Sequence, residues 1–264
     1  MSVSESAKAG EVRRFASFDG TGIAFTTAGD GPPVLLLHGF ASDHVGNWVA
    51  PGVFDALAAS HHVVALDARG HGRSDKPHDP AAYKDEAMAR DAAALLDHLG
   101  IGHVDVVGYS MGAIVAVRLA PREPRVRSLV LGGIGGRVAE GRRPVDSGRV
   151  AAAMTADDPS SFGPAARAFR RFAERTGADR QALAAIQRTN AGESRARPDL
   201  VQVPTLVVVG DDDRLAGPPE ALAARIPDGL ARAVTVHGNH LTAMFDPAFT
   251  RAILDFLRPG EMRH

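Results

Sequence analysis

Residues Val104 to Tyr109 form a short apolar run that ends in Gly108-Tyr109-Ser110-Met111-Gly112. An apolar, helix-compatible segment (Ala113, Ile114, Val115, Ala116, Val117, Leu119, Ala120) follows at once. This pattern predicts a strand, a very tight turn and a helix, with a serine at the apex. The two glycines have a steric purpose. A sharp strand-to-helix turn brings backbone segments too close for side chains at the flanking positions. The turn lifts the serine hydroxyl clear of the sheet. It also places the Met111 N–H at a helix start, where unpaired amides and the helix dipole favour negative charge. Such a serine needs a base, an orienting acid and a second donor before it can do acyl chemistry.

The rest of the chain predicts the scaffold. Val12–Phe18 and Gly22–Thr27 flank Asp19-Gly20, a hairpin signal. Val34–Leu37, His61–Leu66, Val126–Leu131, Val203–Gly210 and Ala233–Val236 read as strands, several of them fully apolar as in a buried parallel sheet. Helices are expected over Trp48–Ala59, Lys84–Leu99, Pro218–Arg225 and Pro247–Leu257. Strands alternating with helices imply right-handed βαβ units, so the fold class is α/β: a mostly parallel, doubly wound sheet with an N-terminal antiparallel hairpin. From Arg137 to Arg197 the texture changes. No strand is expected there, and helices are expected at Val145–Met154, Phe162–Arg175 and Asp179–Thr189. The expected organisation is a loose tail over residues 1–10, a core over 11–136 and 198–264, and a helical insertion over 137–197.

In a parallel sheet the strand C-termini share one edge, where such folds bind ligands. Three of those ends carry His38-Gly39-Phe40, Gly210-Asp211-Asp212-Asp213-Arg214 and His237-Gly238-Asn239-His240. A serine, a carboxylate cluster, a histidine and a glycine-bearing loop therefore meet there, in the chain order Ser, Asp, His.

These features, with Asp67-Ala68-Arg69-Gly70-His71-Gly72-Arg73-Ser74 and Asp246-Pro247, resemble the α/β-hydrolase fold family over Val34 to Leu257. Each motif is modest alone; five in order are specific. The resemblance implies Ser110 as nucleophile and His240 as base. It implies Asp213, in the family's Gly-x-x-Asp position, as the acid, and the N–H groups of Phe40 and Met111 as the oxyanion hole. The insertion falls where the family places its cap. Two departures matter. Asn239 stands where members often carry Gly before the histidine. Gly132–Gly136, where some members place their acid, holds no carboxylate, which favours Asp213. A serine at the nucleophile position disfavours the aspartate-based dehalogenase and epoxide-hydrolase mechanisms.

Competing roles are bounded in the same way. His237 competes with His240, and Asp211 and Asp212 read as turn-capping or solvated residues. Substrate-pocket candidates are His38, Trp48, Met154, Phe169 and Leu215. His38 also reads as a support beneath the oxyanion loop, and for Trp48 a core role is equally open. The insertion holds 12 Arg and seven acidic residues, an excess read as a solvated helical surface that could also draw an anionic substrate.

The 264 residues include no cysteine, which excludes disulfides and thiol catalysis. A formal net charge of −1 gives no global field for nucleic acid or an anionic membrane. No signal-peptide h-region, membrane span or metal-ligand spacing is visible, so a cytoplasmic location, no cofactor and no metal are expected. The expected partner is a small-molecule substrate, with no nucleic acid and no membrane; the oligomeric state stays open. The leading expectation is a carboxylesterase-like serine hydrolase acting on a small or medium ester. The alternatives are a C–C bond hydrolase, thioesterase, lactonase or amidase with the same residues, and, ranked below them, a ligand sensor on this fold.

Overall fold

The computed structural model describes residues 10–84, 86–142, 145–190 and 196–258. The tail expected over residues 1–10 lies, except for Gly10, outside the described residues, as does Glu193 of the insertion. The strands β1 (Arg13–Ala16), β2 (Gly22–Ala28), β3 (Pro33–Leu37), β4 (His62–Leu66), β5 (Val104–Tyr109), β6 (Val126–Gly132), β7 (Thr205–Gly210) and β8 (Ala231–Val236) form one sheet. Its order is β1-β2-β4-β3-β5-β6-β7-β8. β2 pairs antiparallel with both β1 and β4, and all other pairs are parallel.

The helices are α1 (Val53–Ala58), α2 (Ala87–His98), α3 (Met111–Leu119), α4 (Gly136–Ala139), α5 (Ser147–Thr155), α6 (Pro164–Thr176), α7 (Arg180–Asn190), α8 (Pro219–Ala223) and α9 (Pro247–Leu257). The central strands are apolar throughout because both sheet faces are covered. Leu35, Val106, Leu129 and Val207 face one core with residues of α2 and α3. Val34, Leu36, Val107 and Val208 face the other with residues of α1 and α9.

Two of the shifted bounds have a local cause. The helix expected from Trp48 begins only at Val53: a single π-helical turn spans Val45–Val49, and Gly52, at φ 82°, breaks the path after Pro51. The seventh strand begins at Thr205 rather than Val203 because Pro204 has no N–H to donate, though its carbonyl still accepts from Leu129.

No strand occurs among the described residues between β6 and β7. Local chemistry fixes where the helices there begin. The Asp146 carboxylate accepts from the Arg149 N–H at 3.0 Å and starts α5. Asp179 does the same for α7 through Gln181 and Ala182. Arg170 of α6 is buried, and its guanidinium donates to the Ala153 and Ala156 carbonyls at 2.7 and 2.8 Å. A cation thus satisfies the orphan acceptors at the end of α5. The segment is tied to the sheet domain by Thr176 donating to the Ala41 carbonyl and Thr189 to that of Pro80.

Candidate active site

Ser110 sits at the end of β5 with φ 52° and ψ −109°, a left-handed conformation that non-glycine residues rarely adopt. The crowding that forces it is visible. A Cβ on Gly112 would run into the Leu37 carbonyl of β3, and one on Gly108 into the backbone of Gly112. The Ser110 N–H donates to the Gly132 carbonyl at 2.8 Å, which anchors the turn to β6.

His240 follows β8, and its Nε2 lies 2.9 Å from Ser110 Oγ. Its Nδ1 lies 2.8 Å from Asp213 Oδ2. With Nδ1–H donating to the carboxylate, Nε2 offers a lone pair to the serine hydroxyl. Asp213 Oδ1 accepts from the N–H groups of Leu215 and Ala216, both at 3.0 Å, so the carboxylate is held by three donors. The Tyr109 hydroxyl donates to the His240 carbonyl at 2.9 Å and braces the loop that carries the imidazole. These residues come from the ends of three strands, yet they form one continuous hydrogen-bonded chain.

Beside the serine, the loop after β3 is held from below. Asn47 Oδ1 accepts the Gly39 N–H at 2.8 Å. His38 is buried; its Nε2 accepts the Ala68 N–H at 2.9 Å, so its Nδ1–H donates to the Gly39 carbonyl at 2.8 Å. Burial lowers the His38 pKa below the usual imidazole value, which keeps the ring neutral in this role. Neither the Phe40 nor the Met111 amide donates a hydrogen bond among the described residues.

The Asp67–Ser74 loop is architectural. Asp67 accepts from the His44 ring at 2.7 Å and from the Arg73 N–H at 2.8 Å. The fully buried Arg69 guanidinium grips Asp91 with two bonds of 2.6 Å and reaches Asp19 and the Ala82 carbonyl.

Two cavities meet at Ser110 and His240, and both are also lined by Phe40 and Phe169. The first encloses about 970 Å³, its open mouth included, and runs past Met111, Ile114, Leu215, Ser147 and Gln187. The second is lined by Asn47, Phe172, Thr176, Met244 and Phe245. Of the five pocket candidates, Phe169 and Leu215 line the first cavity. His38, Trp48 and Met154 line neither. Trp48 is fully buried against Val53 and Phe54, because the early break in its helix turns it into the core. Met154 is fully buried between α5 and α7, and His38 lies under the loop rather than beside the cavity.

Sequence reasoning missed Asn47, Tyr109, Ser147 and Gln187. An asparagine in a loop reads as a turn residue, and a glutamine on an amphipathic helix reads as its wet face, so neither carries a local signal. Tyr109, lodged inside the Gly-x-Ser-x-Gly string, did have a findable position. Among the described residues, no three His, Cys, Asp or Glu side chains are grouped to hold a metal ion, and no helix is long and apolar enough to cross a membrane.

A family model described as the alpha/beta hydrolase fold matches residues 32–165, just over half of the chain. A putative carbamate hydrolase of Variovorax paradoxus is 33% identical over 86% of this chain and 92% of that protein. An uncharacterized Mycobacterium bovis protein is 40% identical over 124 residues, and the chain spans only 35% of its length. A thermophilic esterase from Thermogutta terrifontis superposes with a TM-score of 0.74 at 27% identity, covering 94% of this chain and 98% of the esterase. The family match, the relatives and the doubly wound sheet agree: this chain belongs to the α/β-hydrolase fold family.

Proposed function

We propose that the chain is a serine hydrolase that cleaves a small or medium carboxylic ester through an acyl-enzyme. The observation that carries this reading is the hydrogen-bonded chain Ser110–His240–Asp213 at the junction of two cavities. An ester has substituents on both sides of its carbonyl carbon, and a serine that lines two cavities has room for both. His240 Nε2 takes the hydroxyl proton as Ser110 Oγ attacks the carbonyl carbon. The carbonyl oxygen becomes an oxyanion, received by the Phe40 and Met111 amides. One such donor contributes about 3–4 kcal/mol to lowering the barrier. The imidazolium, stabilised by Asp213, then protonates the leaving alcohol. Water, activated by the same imidazole, releases the acid and restores the serine.

A second reading has support of its own. The relative named as a putative carbamate hydrolase is matched along nearly its whole length. A carbamate carbonyl passes through the same tetrahedral intermediate, so the residues would keep their roles. The discriminating experiment is rapid mixing with p-nitrophenyl acetate and p-nitrophenyl carbamate, with intact-protein mass spectrometry. A burst and an acyl adduct on Ser110, both absent in Ser110→Ala, are expected. Turnover that survives Ser110→Ala would sink the mechanism, and preference for the carbamate would select the second reading.

A further inference from the structure

We infer that the first cavity selects substrates carrying an uncharged hydrogen-bonding group, a second carbonyl or a hydroxyl, at a distance from the scissile carbonyl. Gln187 and Ser147 are the residues that read it. The inference rests on the proposed hydrolase reading and narrows its substrate class.

The observations concern two polar side chains. Gln187 on α7 is 6% exposed and Ser147 at the start of α5 is 7% exposed, and both line the cavity that contains Ser110. Neither side chain makes a hydrogen bond among the described residues. Near the site, Asn47 is partnered by Gly39, Tyr109 by His240 and Asp213 by three donors. The polar atoms of Gln187 and Ser147 are not sealed in the core but open onto the cavity, where a ligand group can take the place of water. The neighbours on α7 follow the apolar rule: Ala182, Leu183, Ala184, Ala185 and Ile186 are all buried. The unpartnered pair is therefore suited to a group that arrives with the ligand. Its charge follows from the same wall. Glu86 and Arg118 line this cavity with opposite charges and neither is free: Glu86 is ion-paired with Arg122 and Arg118 also has a partner, so the wall favours neither an anion nor a cation. A neutral carbonyl can accept from the Gln187 amide or the Ser147 hydroxyl, and a hydroxyl can also donate to them.

The test uses Ser110→Ala protein, which leaves esters intact, and calorimetric titration with two matched pairs. Methyl 4-oxopentanoate against methyl pentanoate places the extra carbonyl in the acyl half. The acetate of 5-hydroxy-2-pentanone against pentyl acetate places it in the alcohol half. In one pair the oxo ester should bind about tenfold tighter, the scale of one well-made hydrogen bond. That pair also identifies which half of the substrate occupies the cavity. The preference should vanish when Q187L is added and shrink when S147A is added, while the plain alkyl ester binds Q187L at least as well. Equal binding within both pairs, or a preference that survives both substitutions, overturns the inference. If Q187L does not fold, the oxo preference and its response to S147A decide the matter. Turnover of the same esters by the unmodified protein is recorded separately. Turnover without oxo preference sinks this inference alone, and oxo preference without turnover sinks the ester reading alone.

Discussion

Two aspartate–histidine pairs bridge the turns after β7 and β8, and they are near duplicates in sequence: Asp211 with His237, 26 residues apart, and Asp213 with His240, 27 apart. Their surroundings differ completely. In the outer pair the side chains are 51% and 89% exposed and the contact is 3.1 Å; in the inner pair they are 0% and 11% exposed and the contact is 2.8 Å. Asp211 also accepts the Gly238 N–H at 2.9 Å, so the outer pair braces the turn that leads to His240. That amide, and then the His237 ring, lower the Asp211 pKa, while Asp211 raises that of His237. The inner pair has a further neighbour on its free nitrogen, the Ser110 hydroxyl. In the proposed mechanism, a carboxylate beside an imidazole is not in itself a catalytic device; burial and a third group on the far nitrogen separate a base from a strut.

The largest test of this distinction is Ser110→Ala, which removes the third group. Turnover of a p-nitrophenyl ester should fall by about 10⁴-fold or more. Next is Asp213→Asn against Asp211→Asn, compared by kcat on one ester. The inner change should cost about 10⁴-fold by offering the imidazole the wrong partner. The outer change should stay within about threefold, and the opposite ranking would break the comparison.

A buried imidazole with no carboxylate partner sharpens it further. Burial, reinforced by nearby His38, holds His71 down to about 3. It stays neutral in the native state, while the unfolded chain takes up a proton near pH 6.5. Between these values the unfolded state binds more protons, so stability rises with pH and is lost as pH falls from about 6.5 toward 3. Chemical denaturation across that range should show a decline of a few kcal/mol, shallower in His71→Asn.

Tyr109→Phe removes the brace on the His240 carbonyl. A loss of about 1–3 kcal/mol in unfolding free energy is expected, because that acceptor is left buried and unpaired. The smallest effect belongs to His237→Asn. The raised His237 pKa means that its pairing contributes below about pH 6.5 and fades as pH rises through the native value. The melting point should therefore differ slightly from the unmodified protein at pH 6 and not at all at pH 9. A large loss of activity in this variant would place the outer pair in the chemistry after all.

The alternation of strands and helices and the elbow are legible in the sequence because each depends on local rules. An apolar run that stops at glycine fixes a strand end, and strand ends share one edge. The helices expected at Val145–Met154 and Asp179–Thr189 begin within a few residues of α5 and α7, whose starts Asp146 and Asp179 cap. What escaped depends on packing between distant segments. Trp48 is open between pocket and core in the sequence, and it lies buried in a π-helical turn that no periodicity announces. Met154 was expected at the cavity, but the way α5 packs on α7 encloses it. Asn47 holds Gly39, eight residues away, from within the same π-helical turn as Trp48. Gln187 and Ile186 are adjacent on one helix, and both are buried beside the cavity although only one is apolar.

The contact between Gly112 and the Leu37 carbonyl has a consequence for how such a protein can change over generations. It packs the backbone that precedes Phe40 against the backbone that follows Met111, with no side chain between them. The separation of those two amides is thus set by this main-chain packing together with the His38 and Asn47 bonds to Gly39, and substitutions elsewhere in the walls of either cavity leave it untouched. A lineage can exchange Phe169, Ser147 or Gln187 freely, trying new ligands against an unaltered reaction centre. The same lineage has almost no freedom at position 112, where adding one methyl group would push the two strands' loops apart.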